Sequence, residues 1–383
     1  MASIVQALPA NQPYRSWVEV SLGRIGANYR AIRNLVGAKV EVMPVVKADA
    51  YRHGAVAVSR TLVAEGVHWL AVSNAEEGII LREAGLPTRI LVMADFLPFS
   101  REAMLAHDLT PVIHSLADLA DLNRLAATRE QRVRYHLKID SGMGRLGVRP
   151  DAKIAEAIIS AKNVELEGLM THFASAANYE SPQTGEQMAT FESVVESLAA
   201  AAISPRLVHL SSTIPIAYGR KRAWRDMVRP GHAIYGYLSP PRGHAPGKLL
   251  KVQPALTWRT TVLSVKEVPA GSKIGYGGMF TTKAPSRIAV LAVGYADGLP
   301  HRLSNRGHVI VKQKLAPILG AVSMDLTTID VTDCPMVQPG DAVTLLGSEG
   351  DVRIDAQEIA RQAGTISYSV LCGIHARVKR IYV

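Results

Sequence analysis

Lys47 ends an apolar run, Val42-Met43-Pro44-Val45-Val46, and opens the polar turn Ala48-Asp49-Ala50-Tyr51-Arg52-His53-Gly54. A primary amine in that setting suits imine chemistry, because partial desolvation lowers a lysine pKa and frees the amine to attack an aldehyde. Taken alone, the same pattern also describes an ordinary surface lysine after a strand. Gly275-Tyr276-Gly277 presents a tyrosine between two residues that permit close approach of a ligand to the backbone. Arg229, in Val228-Arg229-Pro230-Gly231, carries a charge that no working pH removes.

Lys47 needs a scaffold that ends strands at a common mouth, and an α/β barrel does this by gathering the loops that follow its strands on one face. From about residue 17 to 240, short apolar runs alternate with amphipathic segments, the signature of repeated βα units. Eight runs read as strands: Glu41 to Val46, His68 to Val72, Arg89 to Met93, Pro111 to Ile113, Val133 to Ile139, Glu167 to His172, Leu207 to Leu210 and Ala233 to Tyr235. Between them, Phe191, Val194, Val195 and Leu198 have the spacing of one helical stripe. From Pro254 the pattern becomes β-rich: Leu256 to Val268, Arg287 to Val293, His308 to Lys312, Ala316 to Val331 and Ala342 to Leu346, with one helix over Asp355 to Ala363. The Pro- and Gly-rich segment 239–247 marks the change. The expected architecture is α/β: a (β/α)8 TIM-like barrel over residues 17–245 and a C-terminal mainly-β domain over 246–383, with segment 1–16 packing on the β domain.

The 383 residues, 48% hydrophobic and 20% charged, suit a soluble globular chain large enough for two domains. The formal charge of +10 is spread along the chain without a basic, aromatic-interleaved run, so it favours anionic small ligands over nucleic acid. Cys334 and Cys372 have neither metal-ligand spacing nor the numbers of a disulfide framework, so no metal is expected and a reducing cytoplasm is. No export signal and no membrane-spanning run is read in the sequence.

The motif Lys47-Ala-Asp-Ala-Tyr51-x-His53-Gly54 resembles the cofactor-lysine signature of the alanine racemases, and further blocks follow in that family's order. They are Lys138 to Arg145-Leu-Gly, Thr171-His172-Phe173, His209 to Thr213, Val228 to Gly231, Gly275 to Gly277, Gly294-Tyr295 to Gly298, Ser323-Met324-Asp325 and Ile366 to Tyr368. The resemblance covers nearly the whole chain. It implies pyridoxal 5'-phosphate held by Lys47, an amino-acid substrate, and a homodimer in which two chains form each active site.

Racemisation needs proton donors on both faces of one planar carbon, since a single base tends to return the proton to the side it left. The resemblance assigns Lys47 to one face and Tyr276, from the partner chain, to the other. It places Arg229 against the pyridine nitrogen, where an arginine that keeps its proton leaves the ring a weaker electron sink and favours return of the proton to Cα over transamination. It sets His172 beside Arg229. Phosphate contacts carry over to Tyr51, Thr213, Gly231, His232 and Tyr368. Arg145 is implied at the cofactor's phenolic oxygen and the substrate carboxylate, with Lys138 at the position of a lysine carbamylated in many relatives. Met324 and Tyr295 of the partner complete the substrate pocket, and the implied role is D-alanine supply for peptidoglycan.

Five positions depart from the family pattern: Ser212-Thr213 stands for Asn-Ser, His232 for an aliphatic residue, Ser323 for cysteine, and Ser369 follows Tyr368 where glutamate is usual. Ser212 and Ser323 leave open a racemase of serine or of a broader set of amino acids. A barrel-type amino-acid decarboxylase would pair the ring nitrogen with a carboxylate in place of Arg229, and a non-catalytic pyridoxal phosphate carrier would not need Tyr276.

Overall fold

Residues 14–129, 132–151 and 153–383 are described by a computed structural model. The expected packing of segment 1–16 falls almost wholly outside them. The chain divides into two compact units: Leu22–Pro254, and the residues up to Ser21 together with Ala255–Val383. Both boundaries differ from the sequence expectation. β1 (Ser16–Val20) pairs with the long strand that opens the C-terminal unit, Val18 against Trp258, and so is not part of the barrel. The Pro- and Gly-rich segment stays with the barrel unit, where the Asn28 amide donates to Gln253 O (2.9 Å) and to Ile234 O (3.0 Å).

In Leu22–Pro254 the parallel strands are β2 (Glu41–Val42), β3 (Trp69–Val72), β4 (Arg89–Val92), β5 (Thr110–Ile113), β6 (Val133–Lys138), β7 (Val164–Met170), β8 (Leu207–His209) and β9 (Met227–Val228). β3 to β8 pair in sequence order and β2 pairs with β9. Two sets of bonds join these sheets. Val46 N donates to Ala71 O (2.8 Å), while Asp226 N donates to Val208 O (3.1 Å) and Val208 N to the Asp226 carboxylate (2.9 Å). The strands thereby close into the expected eight-stranded barrel. Leu70, Ile90, Leu91, Val112, Leu137 and Leu169 are wholly buried, as near-continuous apolar strands covered on both faces should be. Asn74 and Ser115 cap their helices by accepting from Glu77 N and Asp118 N, both at 3.0 Å. The stripe of Phe191, Val194 and Leu198 is buried on the helix Gln183–Ala200.

The eighth strand is not where the apolar run suggested. Ala233 to Tyr235 forms consecutive turns, with Ile234 N bonded to Gly231 O and Tyr235 N to His232 O, and the strand is the earlier Met227–Val228. Pro230 removes a ladder donor immediately after it. Gly236 then lies at φ +90° with its α-carbon hard against Gln253, where a Cβ would stand 1.9 Å from the carbonyl oxygen.

The second unit is antiparallel and also closes. β10 (Leu256–Val268), β13 (Ser286–Leu291), β16 (Thr327–Asp330), β15 (Lys314–Leu319), β14 (His308–Val311) and β17 (Ala342–Glu349) form a ring, because β17 also pairs with β10. A bulge between Val262 and Ser264 lets one long strand serve both neighbours. Outside the ring lie β1, β18 (Val352–Ile354), β19 (Lys379–Tyr382) and the hairpin of β11 (Lys273–Ile274) with β12 (Phe280–Thr281). The single run read over Ala316 to Val331 is broken at Gly320, φ +71°, and residues 321–326 form the loop that carries Met324.

Candidate active site

Behind β2, Val45 and Val46 are buried and Lys47 is partly so. The next five residues, Ala48 to Arg52, all have φ between 52° and 65°, a turn of left-handed helix built without glycine. Each such residue costs roughly 1–2 kcal/mol, so the turn persists only where its surroundings over-determine it. They do. The Glu77 carboxylate takes Ala48 N (2.6 Å) and Ser73 N (2.7 Å), and Asp49 takes Ala55 N (2.7 Å). His53, fully buried, contacts Ala50 O (3.1 Å) and Tyr51 O (2.9 Å) with Nδ1. The turn thereby swings Tyr51 into an aromatic cluster, 4.7 Å from Tyr235 and stacked at 6.4 Å on His232.

Tyr51 meets the loop after β9. A Cβ on Gly231 would lie 2.5 Å from the Tyr51 hydroxyl, so any side chain there would have to displace the Tyr51 ring. Thr213, the first residue of the helix Thr213–Ala217, accepts from Gly231 N and Ala233 N with Oγ1, both at 3.2 Å. The strand-end loops therefore gather Tyr51, Thr213, Gly231 and His232 into one polar cradle. Burial and nearby His53 push the His232 imidazole down to about 3, which leaves it neutral at working pH.

Arg229 is 2% exposed. Its Nη1 donates to His209 O (2.8 Å) and His209 Nδ1 (2.9 Å), and its Nη2 to Thr171 O (2.6 Å) and Leu210 O (3.1 Å). Nε donates to none of the described residues. Burial pulls the guanidinium down to about 9, still far above the range of a pyridine nitrogen. His172 lies with Nδ1 3.5 Å from Nη2. Burial, then Arg229, Lys138, Arg145 and Lys47, hold His172 down to about 3. Lys138 ends β6 and is lowered to about 8 by burial first, then by Arg145 and Arg229. Arg145 leaves a loop wound on the Asp140 carboxylate, which accepts from the N–H groups of Gly142, Met143 and Gly144 at 2.9–3.2 Å. Burial opposes ionisation of Asp140, but those donors and Arg149 outweigh it and lower its pKa.

The barrel site therefore collects four cations around a cradle of hydroxyl and amide groups, with Arg229 Nε engaged by none of the described residues. That donor set fits a phosphorylated heteroaromatic aldehyde such as pyridoxal 5'-phosphate: cations for its anionic oxygens, Arg229 Nε for a ring nitrogen, and Lys47 for the carbonyl.

Four predicted residues belong to the β unit. Tyr276 is 77% exposed, in a turn whose Gly275, Gly277 and Gly278 all have positive φ. Tyr295 N donates to Ser323 O and Ala296 N to Met324 O, both at 3.0 Å, which places Tyr295 beside Met324. Gly294 permits this approach, since a Cβ there would be 2.2 Å from Ser323 O. Arg377 braces the pair from below, bonded to Asp297 and Asp325 at 2.7 Å each, while Asp297 also accepts from Gly294 N (2.9 Å). Tyr276, Met279, Tyr295, Met324 and Leu326 are all exposed. Tyr368 is partly buried on the helix Ser367–Cys372. Of the substituted positions, Ser323 spends its hydroxyl on Leu326 O (2.7 Å) and Leu326 N (3.1 Å).

Sequence reasoning missed Glu77, Asp297 and Arg377, and quoted His209 without giving it a role. The signal for Glu77 was its place three residues after Asn74, a helix-start pattern. Nothing local marks Arg377.

A family model described as alanine racemase, N-terminal domain, matches residues 20–239, and one described as alanine racemase, C-terminal domain, matches 255–382. An alanine racemase of Halothermothrix orenii is 42% identical over 369 residues, 96% of either chain. That of Carboxydothermus hydrogenoformans is 40% identical over 372 residues, 96% of this chain and 99% of its own. Among solved structures, the alanine racemase of Bacillus anthracis with bound L-Ala-P matches with a TM-score of 0.88 at 34% identity, covering 97% of this chain and 96% of that one. The alanine racemase of Bartonella henselae with covalently bound pyridoxal phosphate matches with a TM-score of 0.85 at 28% identity, covering 97% and 100%.

Proposed function

The chain belongs to the alanine racemase family, and from that premise we propose how its own residues divide the interconversion of L- and D-alanine. Pyridoxal 5'-phosphate, when bound, supplies the carbonyl that captures the substrate amine and the conjugated ring that acidifies the substrate Cα–H. Tyr51, Thr213, Gly231, His232 and Tyr368 hold its phosphate. Arg229 would face the ring nitrogen with Nε and, keeping its own proton, would leave the ring a weaker electron sink. Arg145 binds the substrate carboxylate from the Asp140 loop, with Lys138 beside it as a candidate for carbamylation. Lys47 Nζ removes or returns the Cα proton on one face. Tyr276 Oη of the partner chain does so on the other.

The arrangement of Arg229 carries this reading: four acceptors lock its two terminal nitrogens and leave Nε for the cofactor. A homodimer is supported by the exposure of Tyr276, Tyr295 and Met324 together with Met279 and Leu326, an apolar group that a partner chain would cover. An isologous two-fold interface would complete two sites at once. No helix of the described residues is long and apolar enough to cross a membrane, and a cytoplasmic enzyme supplying D-alanine for peptidoglycan fits that finding. Chiral chromatography of products from L-alanine, L-serine and larger L-amino acids tests the reading. Rapid D-alanine with little D-serine is expected; comparable turnover of serine would make Ser212 the place to look for breadth, and visible cofactor absorbance without D-product would overturn the reading.

A further inference from the structure

Behind Arg229 the barrel interior holds a line of polar groups that proton transfer at Cα does not use. His209 Nδ1 receives Arg229 Nη1 at 2.9 Å, His209 Nε2 lies 2.9 Å from His136 Nδ1, and His136 Nε2 faces the Glu167 carboxylate at 3.7 Å. Both histidines are wholly buried and Glu167 is 2% exposed. Glu167 is in turn bonded by Arg89 (2.5 and 2.7 Å) and Arg206 (2.7 Å). Arg89 begins β4 and Arg206 precedes β8, so this end of the line lies toward the strand starts, away from the strand-end loops that hold Lys47 and Arg229.

Only one placement of protons avoids a donor facing a donor along the line; at its far end His136 Nε2 makes no hydrogen bond and meets Glu167 as a charge 3.7 Å away. An arginine has no lone pair to offer, so His209 Nδ1 must be bare. A neutral His209 then carries its proton on Nε2 and donates to His136 Nδ1, and a neutral His136 carries its own on Nε2, toward the carboxylate. The reverse placement sets a His209 N–H against an Arg229 N–H at 2.9 Å, a buried mismatch, and turns a His136 lone pair toward the Glu167 charge at 3.7 Å, which repels it. A second proton on either ring would add a cation beside Arg229. Burial opposes that charge on both histidines.

We propose that Glu167 and His136 are positioning residues of the racemase site: they hold His209 protonated on Nε2, and its bare Nδ1 fixes the Arg229 guanidinium with Nε toward the cofactor ring. The line works as a directional strut between a fixed cation and a fixed anion. Its sense depends on Glu167 being unable to donate. Glutamine at that position offers an N–H to His136 Nε2, which permits the reversed order and turns a donor toward Arg229. The inference rests on the reading of Arg229 as facing the cofactor, and the proton placement can be read independently of it.

Neutron diffraction from the deuterium-exchanged holoenzyme at neutral pH reads the placement directly. Deuterium on Nε2 of both His136 and His209, with none on either Nδ1, is expected; deuterium on Nδ1 of either ring overturns the strut. The same map shows whether Arg229 Nε points at the ring nitrogen, so a failure of the Arg229 reading is seen separately. In solution, Glu167→Gln should lower kcat about tenfold with KM within about twofold, the pattern of an interaction felt at the reacting centre and not in substrate binding. Unchanged kcat in a folded, cofactor-loaded variant would overturn the proposal. Arg206 is exposed and Arg89 partly so, and water can solvate both when the carboxylate is replaced.

Discussion

The Glu77 carboxylate holds the Ala48 N–H at 2.6 Å, one residue after Lys47, and with its other oxygen holds Ser73 N at 2.7 Å. One side chain thus ties the left-handed turn to the loop after β3. Replacing it with alanine leaves both N–H groups without their charged acceptor, a loss of roughly 1.5–3 kcal/mol for such bonds before solvent takes over the exposed one. Glu77→Ala should lower Tm by several degrees and slow attachment of the cofactor to Lys47. Stopped-flow absorbance on adding pyridoxal phosphate to apoenzyme measures the second effect, and an unchanged rate would dissociate Glu77 from Lys47.

Ala48→Gly tests the backbone itself. In a right-handed helix this change costs about 1 kcal/mol. At φ 53° the alanine carries a left-handed penalty that glycine lacks, and the gain in unfolded-state freedom roughly cancels the relief. Denaturant unfolding should show a change within about 0.5 kcal/mol of zero. A loss of 1 kcal/mol or more would mean that the turn is not left-handed.

Acid should destabilise the fold before its carboxylates titrate. Burial leads the causes that hold His114 down to about 4 and His172 and His232 down to about 3, and it also lowers His136 and His209. Unfolded histidine titrates near 6.5, so below that pH the unfolded chain binds more protons than the native one and stability falls as pH falls. Between pH 6.5 and 5 unfolding should take up roughly three to five protons. A Tm that stays flat across this window contradicts the buried, neutral state of these rings.

Asp297→Asn removes the charge that Arg377 and Gly294 N share beneath Tyr295. Asp297 is 3% exposed whereas Arg377 is partly solvated, so the loss should be modest, about 1–2 kcal/mol. The expected signature is a KM for alanine raised several-fold with kcat less affected, if Tyr295 and Met324 line the substrate side as proposed. Equal losses in both, or none, would place this brace outside the substrate pocket.

Much of this was legible in the sequence. Seven of the barrel strands fall on the runs that periodicity marked, and the helix Ala356–Ala363 lies in the stretch read as helix over Asp355 to Ala363, with Asp355 as its N-cap. The eighth strand was missed because Ala233-Ile234-Tyr235 is buried as turns against Asn28 and Gln253, and burial looks alike in a strand and in a packed loop. The left-handed turn was invisible because Ala48, Ala50 and Tyr51 do not favour it; contacts from Glu77 and His53 impose it. His136, Glu167 and His209 become neighbours only when β6, β7 and β8 lie side by side, so no spacing in the sequence announces their line.

The claim on which most depends is that Lys47 of one chain works with Tyr276 of the other, and mixing inactive variants tests it. Lys47→Ala and Tyr276→Phe are each expected to lose racemase activity as homodimers. Unfolded, mixed and refolded together with pyridoxal phosphate, equal amounts should form about half heterodimers, each with one intact and one doubly altered site, restoring about a quarter of wild-type activity. If both residues served the same chain's site, every site in the mixture would carry a defect and the activity would stay at the level of the separate variants.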